Sequence, residues 1–174
     1  MTGSHPFWDY SLRLYARPGI AEICLRLQDR LGADVTLLMF GLWVAAGGGG
    51  ALSVADWGRA IGSTQAWRDE VVRPLRAIRK NMKGGAWPGV AAAGAEALRT
   101  RIKTLELEAE QAQHRALAAA FPNILDTTVP VDDRQADAVT ALSAYVLAAG
   151  LQADAADQAD MAALAQCGLA IALR

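Results

Sequence analysis

The chain has 174 residues, of which 53% are hydrophobic, 20% charged and 6% aromatic, and its formal net charge at pH 7 is −1. This length predicts one domain whose core needs no disulfide or metal, and the hydrophobic fraction excludes a wholly disordered chain. Alanine is abundant and β-branched residues are few, which predicts an all-α protein because alanine favours helices and disfavours strands. A net charge near zero gives no overall attraction to nucleic acid or to membranes.

Charge is unevenly distributed along the chain. Residues 64–103 carry nine basic and three acidic side chains, whereas residues 104–174 carry three basic and ten acidic ones. The two regions either pair with each other within one fold or face different partners, and the sequence leaves both alternatives open.

The N-terminal segment lacks a basic stretch followed by an apolar run, so we expect a cytoplasmic protein without a secretion signal. Cys24 and Cys167 lie in apolar helical patterns and belong to no C-x-x-C motif, which predicts buried free thiols. The most apolar stretch, 35–46, is too short to span a bilayer, so we expect no membrane span.

Prolines open the first two predicted helices. These helices cover 6–16 and 18–31, and each has a proline at its first position, where the missing N–H costs little. Ser4 or His5 is the expected cap of the first helix, and Gly32 is the expected left-handed residue that ends the second.

Asp34 is the predicted N-cap of a third helix over 35–46. The residues of this helix are apolar on every side, which predicts that it lies at the centre of the fold with other helices around it. Gly41, in its middle, predicts either a close contact with another helix or room for a ligand, because glycine otherwise weakens a helix.

Further helices are predicted after the glycine run 47–50, over 54–61, 64–82, 90–120, 133–149 and 153–173. Ser63 or Thr64 is the expected cap of the second of these, and Pro74 within it predicts a kink or a restart. The long helix carries a narrow apolar seam that suits antiparallel packing. The predicted fold is therefore all-α.

We expect a single domain, 1–174, built as a bundle of seven to eight helices around the central helix at about 35–46. Within it, 1–120 form the core and 121–174 form a C-terminal helical hairpin.

A helical wheel of the segment 64–83 separates a cationic face from an apolar one. Six cations fall within about 140° of the wheel: Arg68, Arg73, Arg76, Arg79, Lys80 and Lys83. Because like charges on one face repel, we expect an anion to neutralise them. The candidates are the acidic C-terminal half, a phosphate-bearing ligand, nucleic acid or an anionic membrane surface.

A pocket beside the central helix is the second candidate site. Polar residues of the first three helices lie near two tryptophans in the predicted packing, and the set is Trp8, Asp9, Gln28, Asp34 and Trp43. These residues would line a pocket, although capping and hydrogen bonds between helices explain the polar ones equally well.

Three acidic patterns have metal-binding alternatives. Asp132, Asp133 and Asp137 form D-D-x-x-x-D, which resembles the magnesium- and diphosphate-binding motifs of helical isoprenoid synthases but also suits a helix N-terminus. Glu106, Glu110 and His114 share one helix face, as do Asp154, Asp157 and Asp160. Both rows suit metal ligands or, more simply, solvated faces. We therefore predict no metal and no cofactor.

Three segments carry a resemblance: WDYSLRLY at 8–15, CLRLQD at 24–29 and GADVTLLMFGLW at 32–43. They resemble a family of small proteobacterial conserved hypothetical proteins, a domain of unknown function, over roughly the first 110 residues. The resemblance implies no known activity, so it supplies no catalytic residues.

We expect a cytoplasmic, non-enzymatic binding or adaptor protein whose basic helix face engages an anionic ligand or protein, with homodimerisation to cover apolar surface. One alternative is a magnesium-dependent enzyme that acts on a diphosphate or prenyl substrate through Asp133 and Asp137. Another is a nucleic-acid-binding accessory protein that uses the same cations.

Overall fold

The computed structural model describes residues 5–85, 87–126, 128, 130, 134–171 and 173, and in these ranges it is helical with no strand. The α-helices are α1 (Pro6–Tyr15), α2 (Ile20–Arg26), α3 (Val35–Ala46), α4 (Val54–Trp67), α5 (Arg73–Asn81), α6 (Ala92–Ala120), α7 (Arg134–Ala148) and α8 (Ala155–Leu169). A π-helical turn, Leu27–Leu31, extends α2, and another, Arg68–Val72, joins α4 to α5. The described part of the chain thus holds seven continuous helices, which confirms the predicted all-α class.

The apolar helix α3 lies at the centre of the bundle, as predicted. Every residue from Thr36 to Ala46 is buried, and α1, α6, α7 and α8 pack around this helix. The Asp34 carboxylate caps α3 by accepting hydrogen bonds from the backbone N–H groups of Thr36 and Leu37, at 2.8 and 3.4 Å. A helix without a polar face must be covered on all sides, so its central position follows from its sequence.

Gly41 marks the point where α4 approaches α3. A Cβ atom built on Gly41 would lie 2.7 Å from the ring of Trp57. Trp57 is fully buried, and its indole N–H donates a hydrogen bond to the Ala141 carbonyl oxygen at 2.8 Å. Gly41 therefore allows a close contact with another helix, which is the first of the two predicted alternatives, and not room for a ligand.

The predicted helix break between residues 61 and 64 is wrong, because α4 continues through it. Ser63 and Thr64, the expected caps, instead donate their hydroxyls to the carbonyl oxygen of Ala60, at 2.9 and 3.4 Å. Hydroxyls that bond back to the preceding turn sit within a helix and do not start one.

Pro74 neither ends the helix nor restarts it. The π turn Arg68–Val72 comes immediately before it, and there the Arg73 N–H bonds to the Arg68 carbonyl five residues back. In a regular α-helix a proline ring clashes with the carbonyl four residues earlier, and a wider turn opens the helix at that place. The helix therefore continues as α5.

The second helix begins later than predicted. Pro18 lies in a turn, and α2 starts at Ile20 after Gly19, whose φ of 80° is in the left-handed region that favours glycine. The predicted end is confirmed, since Gly32 has a φ of 75° and follows the π turn directly.

The helices α7 and α8 pack against each other and cover α3 from the C-terminal side. Two arginines of the second helix reach acidic residues of α8: Arg26 bonds to Asp160 and Arg30 to Asp157, at 2.5 and 2.6 Å. Asp154 caps α8 through the Asp157 N–H. The acidic row of α8 thus supplies the N-cap of α8 and the ion-pair partners of two arginines of the second helix.

No helix of the described ranges is both long and apolar enough to cross a bilayer. The two cysteines are free thiols, with Cys24 buried and Cys167 half-buried.

Candidate functional site

A cavity of about 440 Å³ opens between α1, the second helix, α3, α5 and α6. This is within the range of small-molecule sites in proteins. A second cavity, of about 430 Å³ between α7 and α8, has no ionisable side chain in its lining. The first cavity is therefore the better candidate for chemistry.

Apolar side chains form much of the cavity wall, and the larger ones are Trp8, Leu12, Tyr15, Leu25, Met39 and Leu107. Four of them remain about half exposed, namely Leu12, Tyr15, Leu25 and Leu107. Large apolar side chains that stay open to water around one concave site form a surface suited to an apolar ligand.

Charged side chains of α5 and α6 form the opposite wall. The four cations Arg76, Arg79, Lys80 and Lys103 outnumber the two carboxylates Glu106 and Glu110, so the lining is cationic overall. Its charges are not equivalent, because some of these side chains are closely paired with other described residues and others are not.

Arg76 is the most fully paired cation. Its guanidinium donates to Glu106 at 3.0 Å, to Gln28 at 2.8 Å and to Glu110. Arg79 also donates to both oxygens of Glu106. These charge-assisted hydrogen bonds hold α5 against α6 and the second helix.

The two carboxylates of this network have opposite pKa shifts. Burial alone would raise the pKa of Glu106, but hydrogen bonds and charges from Arg79 and Arg76 outweigh it and hold the pKa below its ordinary value. Burial raises the pKa of Glu110, and Arg76 offsets this only in part. Glu106 is therefore the firmer anion of the pair.

His114 and Ser11 lie at the buried end of the cavity. The Nδ1 atom of His114 is 2.8 Å from the Glu110 carbonyl oxygen, and its Nε2 atom is 3.1 Å from the Ser11 hydroxyl. A carbonyl oxygen only accepts, so the neutral ring carries its proton on Nδ1 and offers Nε2 as an acceptor. The Ser11 hydroxyl also lies 3.0 Å from the Phe7 carbonyl oxygen, a second acceptor.

Burial lowers the pKa of His114 to about 4, so the ring is neutral at pH 7. A base of such low pKa is poorly matched to removing a proton from a serine hydroxyl at neutral pH. The Ser11–His114 pair therefore suits a polar contact with a ligand better than nucleophilic catalysis.

The six cations of the predicted cationic face lie in different surroundings in the structure. Arg76, Arg79 and Lys80 line the cavity, whereas Lys83 is exposed beyond it. Arg68 is 3.5 Å from Asp34 and 3.3 Å from Asp69. Asp69 also pairs with Arg73, at 2.7 Å.

The five residues of the predicted pocket are divided too. Trp8 and Gln28 line the cavity. Asp34 serves as the cap of α3, Asp9 lies half-buried on α1, and Trp43 packs on Phe7 in the core with ring centroids 5.2 Å apart.

Lys103 was missed by the sequence reasoning, although a signal for it exists. It lies three residues before Glu106 and thus continues the row formed by Glu106, Glu110 and His114 along one face of α6. Among the described residues, no carboxylate lies within ion-pair distance of Lys103.

The metal-binding alternatives concern other acidic residues. Among the described residues, no group of three potential metal ligands occurs. Asp132 and Asp133 lie outside the described residues, and Asp137 is half-buried on α7.

These features define an all-helical protein with a cationic and apolar cavity at the junction of its N-terminal helices and the α5–α6 pair. The chain belongs to the family described as "Protein of unknown function (DUF2390)", whose profile matches residues 6–117. Comparison with curated proteins and with solved structures gives no match. Every residue that lines the first cavity lies within the matched range, whereas α7 and α8 lie outside it.

Proposed function

We propose that the protein is a non-enzymatic binding protein whose cavity takes a small amphipathic anion. The apolar part of the ligand would pack against Trp8, Leu12 and Leu107, and its carboxylate or phosphate group would lie near Lys80 and Lys103. The observation that carries the proposal is this combination in one cavity of half-exposed apolar side chains with cations that exceed the carboxylates.

Lys80 and Lys103 are the cations best placed to meet an external anion. Arg76 and Arg79 already donate to Glu106. Lys80, by contrast, is 3.5 Å from Asp29, and both of these side chains are more than half exposed, so water screens the pair. A ligand anion would therefore gain more from Lys80 and Lys103 than from the arginines.

Medium-chain alkyl ligands test the proposal. We expect decyl phosphate and decanoate, used below their micelle concentrations, to raise the melting temperature of the full chain more than decanol does. At a ligand concentration of about 100 times Kd, the stabilisation would be about 2.7 kcal/mol, which corresponds to a rise of roughly 5–10 °C in a protein of this size. Native mass spectrometry of the purified protein would show any bound molecule directly.

Two charge reversals provide the matched comparison. Lys103→Glu should weaken the binding of decyl phosphate at least about tenfold, because it replaces an attractive charge by a repulsive one. Lys83→Glu, on an exposed residue outside the cavity lining, should leave that affinity unchanged. Equal melting shifts with decanol and decyl phosphate, or no shift with any of the three, would contradict the proposal.

A further inference from the structure

The helices α5 and α6 form a hairpin that extends beyond the bundle. We call residues 73–85 and 87–105 the projecting hairpin. None of the side chains of α5 is buried, and the first buried residue of α6 is Glu106. The hairpin is thus joined to the bundle at its base, where Arg76 and Arg79 are half-buried, and its outer part is open to solvent.

The outer end of the projecting hairpin is apolar. Trp87 and Val90, in the α5–α6 connection, are 46% and 56% exposed, and Leu98 on the outer part of α6 is 48% exposed. Tryptophan is enriched where proteins meet the membrane–water interface, because its ring is apolar and its N–H is polar.

The same end carries cations for which the described residues provide no ion-pair partner. The arginines nearer the bundle are compensated, since Arg76 and Arg79 pair with Glu106 and Arg73 pairs with Asp69. Farther out, Lys83 and Arg101 are exposed and have no carboxylate within ion-pair distance among the described residues. The ion pair places Arg79 level with Glu106 in an antiparallel pair of helices, and the same register brings Lys83 level with Ile102, the residue next to Arg101.

We infer that the outer end of the projecting hairpin docks on an anionic lipid bilayer, with Trp87 and Val90 inserted at the interface and Lys83 and Arg101 near the headgroups. Exposed apolar residues combined with cations are the recurring features of such contacts, and anionic lipids attract each nearby lysine or arginine. A nucleic-acid contact would use the cations and stack a base on Trp87, but it would leave the aliphatic side chains of Val90 and Leu98 without a partner. This inference does not depend on the ligand of the cavity.

Vesicle sedimentation with the full chain tests it. We expect binding to vesicles of phosphatidylcholine mixed with phosphatidylglycerol, little binding to phosphatidylcholine alone, and weaker binding as salt is raised. The double variant Lys83→Glu/Arg101→Glu should lower the apparent affinity at least about tenfold. The control variant Arg17→Glu/Leu147→Asp, which changes one exposed cation and one exposed apolar residue outside the hairpin, should bind like the wild type.

Tryptophan quenching by brominated lipids locates the contact. Trp87 and Trp67 are similarly exposed, at 46% and 42%, but only Trp87 lies at the outer end. Trp87→Ala should remove most of the quenching and weaken binding, whereas Trp67→Phe should keep both. Wild-type quenching in Trp87→Ala, or binding to single- or double-stranded nucleic acid with no partition to anionic vesicles, would overturn the inference. Far-UV circular dichroism should show that all of these variants remain folded.

Discussion

Replacement of Gly41 by alanine tests the packing at the centre of the bundle. The added Cβ would lie 2.7 and 2.9 Å from two atoms of the Trp57 six-membered ring, closer than such atoms approach in folded proteins. Trp57 has little freedom to retreat, because it is fully buried, its N–H bonds to the Ala141 carbonyl oxygen and its ring packs edge-on against Tyr145 with centroids 5.1 Å apart.

Two effects of opposite sign determine how much Gly41→Ala changes the free energy of unfolding. Overpacking a core costs about 1–3 kcal/mol, whereas alanine in place of glycine within a helix contributes about 1 kcal/mol of stability. Because the ring is held on several sides, we expect the upper part of the overpacking range and a net loss of about 1–2 kcal/mol. For a chain of this length, the melting temperature should fall by roughly 2–8 °C.

Gly58→Ala is the matched control. Gly58 is exposed on α4, and apart from its chain neighbours and the adjacent backbone of α4 itself no atom lies within 4 Å of a Cβ built there, so only the helix-propensity effect should remain. Urea unfolding followed by far-UV circular dichroism should show a stabilisation of about 0.5–1 kcal/mol for Gly58→Ala and a destabilisation for Gly41→Ala. In a Trp57→Phe background, whose shorter side chain lacks the two obstructing indole atoms, Gly41→Ala should become much less harmful. If Gly41→Ala stabilises the protein as much as Gly58→Ala does, the close approach of α4 to α3 is refuted.

Two further predictions concern Asp34 and His114. Asp34→Ala should cost about 1–2 kcal/mol in urea unfolding, because it removes the cap of α3, whereas Asp34→Asn should keep most of that stability; equal losses in the two variants would argue against the cap. For His114, the unfolded chain takes up a proton that the buried ring, with its pKa lowered to about 4, does not accept. The contribution of His114 to the free energy of unfolding should therefore be fully present above about pH 6.5 and be lost as the pH drops towards about 4. His114→Gln should lack this component, which amounts to up to about 3 kcal/mol, and an identical pH profile in the variant would contradict the assignment.

The sequence was sufficient to predict features that depend on one helix alone. The position of α3 follows from its lack of a polar face, and its first residue follows from the carboxylate of Asp34. The π turn Arg68–Val72 could not be predicted in the same way, because proline positions indicate a disturbed helix without showing whether it breaks, bends or widens.

The cavity depends on how helices face one another, and a helical wheel carries no such information. The wheel places Arg76 and Arg79 on one face, and the spacing of Glu106 and Glu110 places them together on another helix. Only the packing of α5 on α6 shows that these two faces meet. For the same reason, Glu106 and Glu110 resembled metal ligands in the sequence, although in the structure arginines engage both carboxylates.

The cations of α5 and of the turn that follows it differ in how firmly they are paired, and therefore in how much they contribute to folding stability. Arg76 is half-buried and is held by Glu106, Glu110 and Gln28, because a partly desolvated charge is costly unless it is paired. Lys80 lies 3.5 Å from the exposed Asp29, and Lys83, which follows α5, is exposed. Solvated charges contribute little to folding stability. Substitution of Lys83 should therefore have little effect on the fold, whereas substitution of Arg76 should lower folding stability and disturb the cavity lining together.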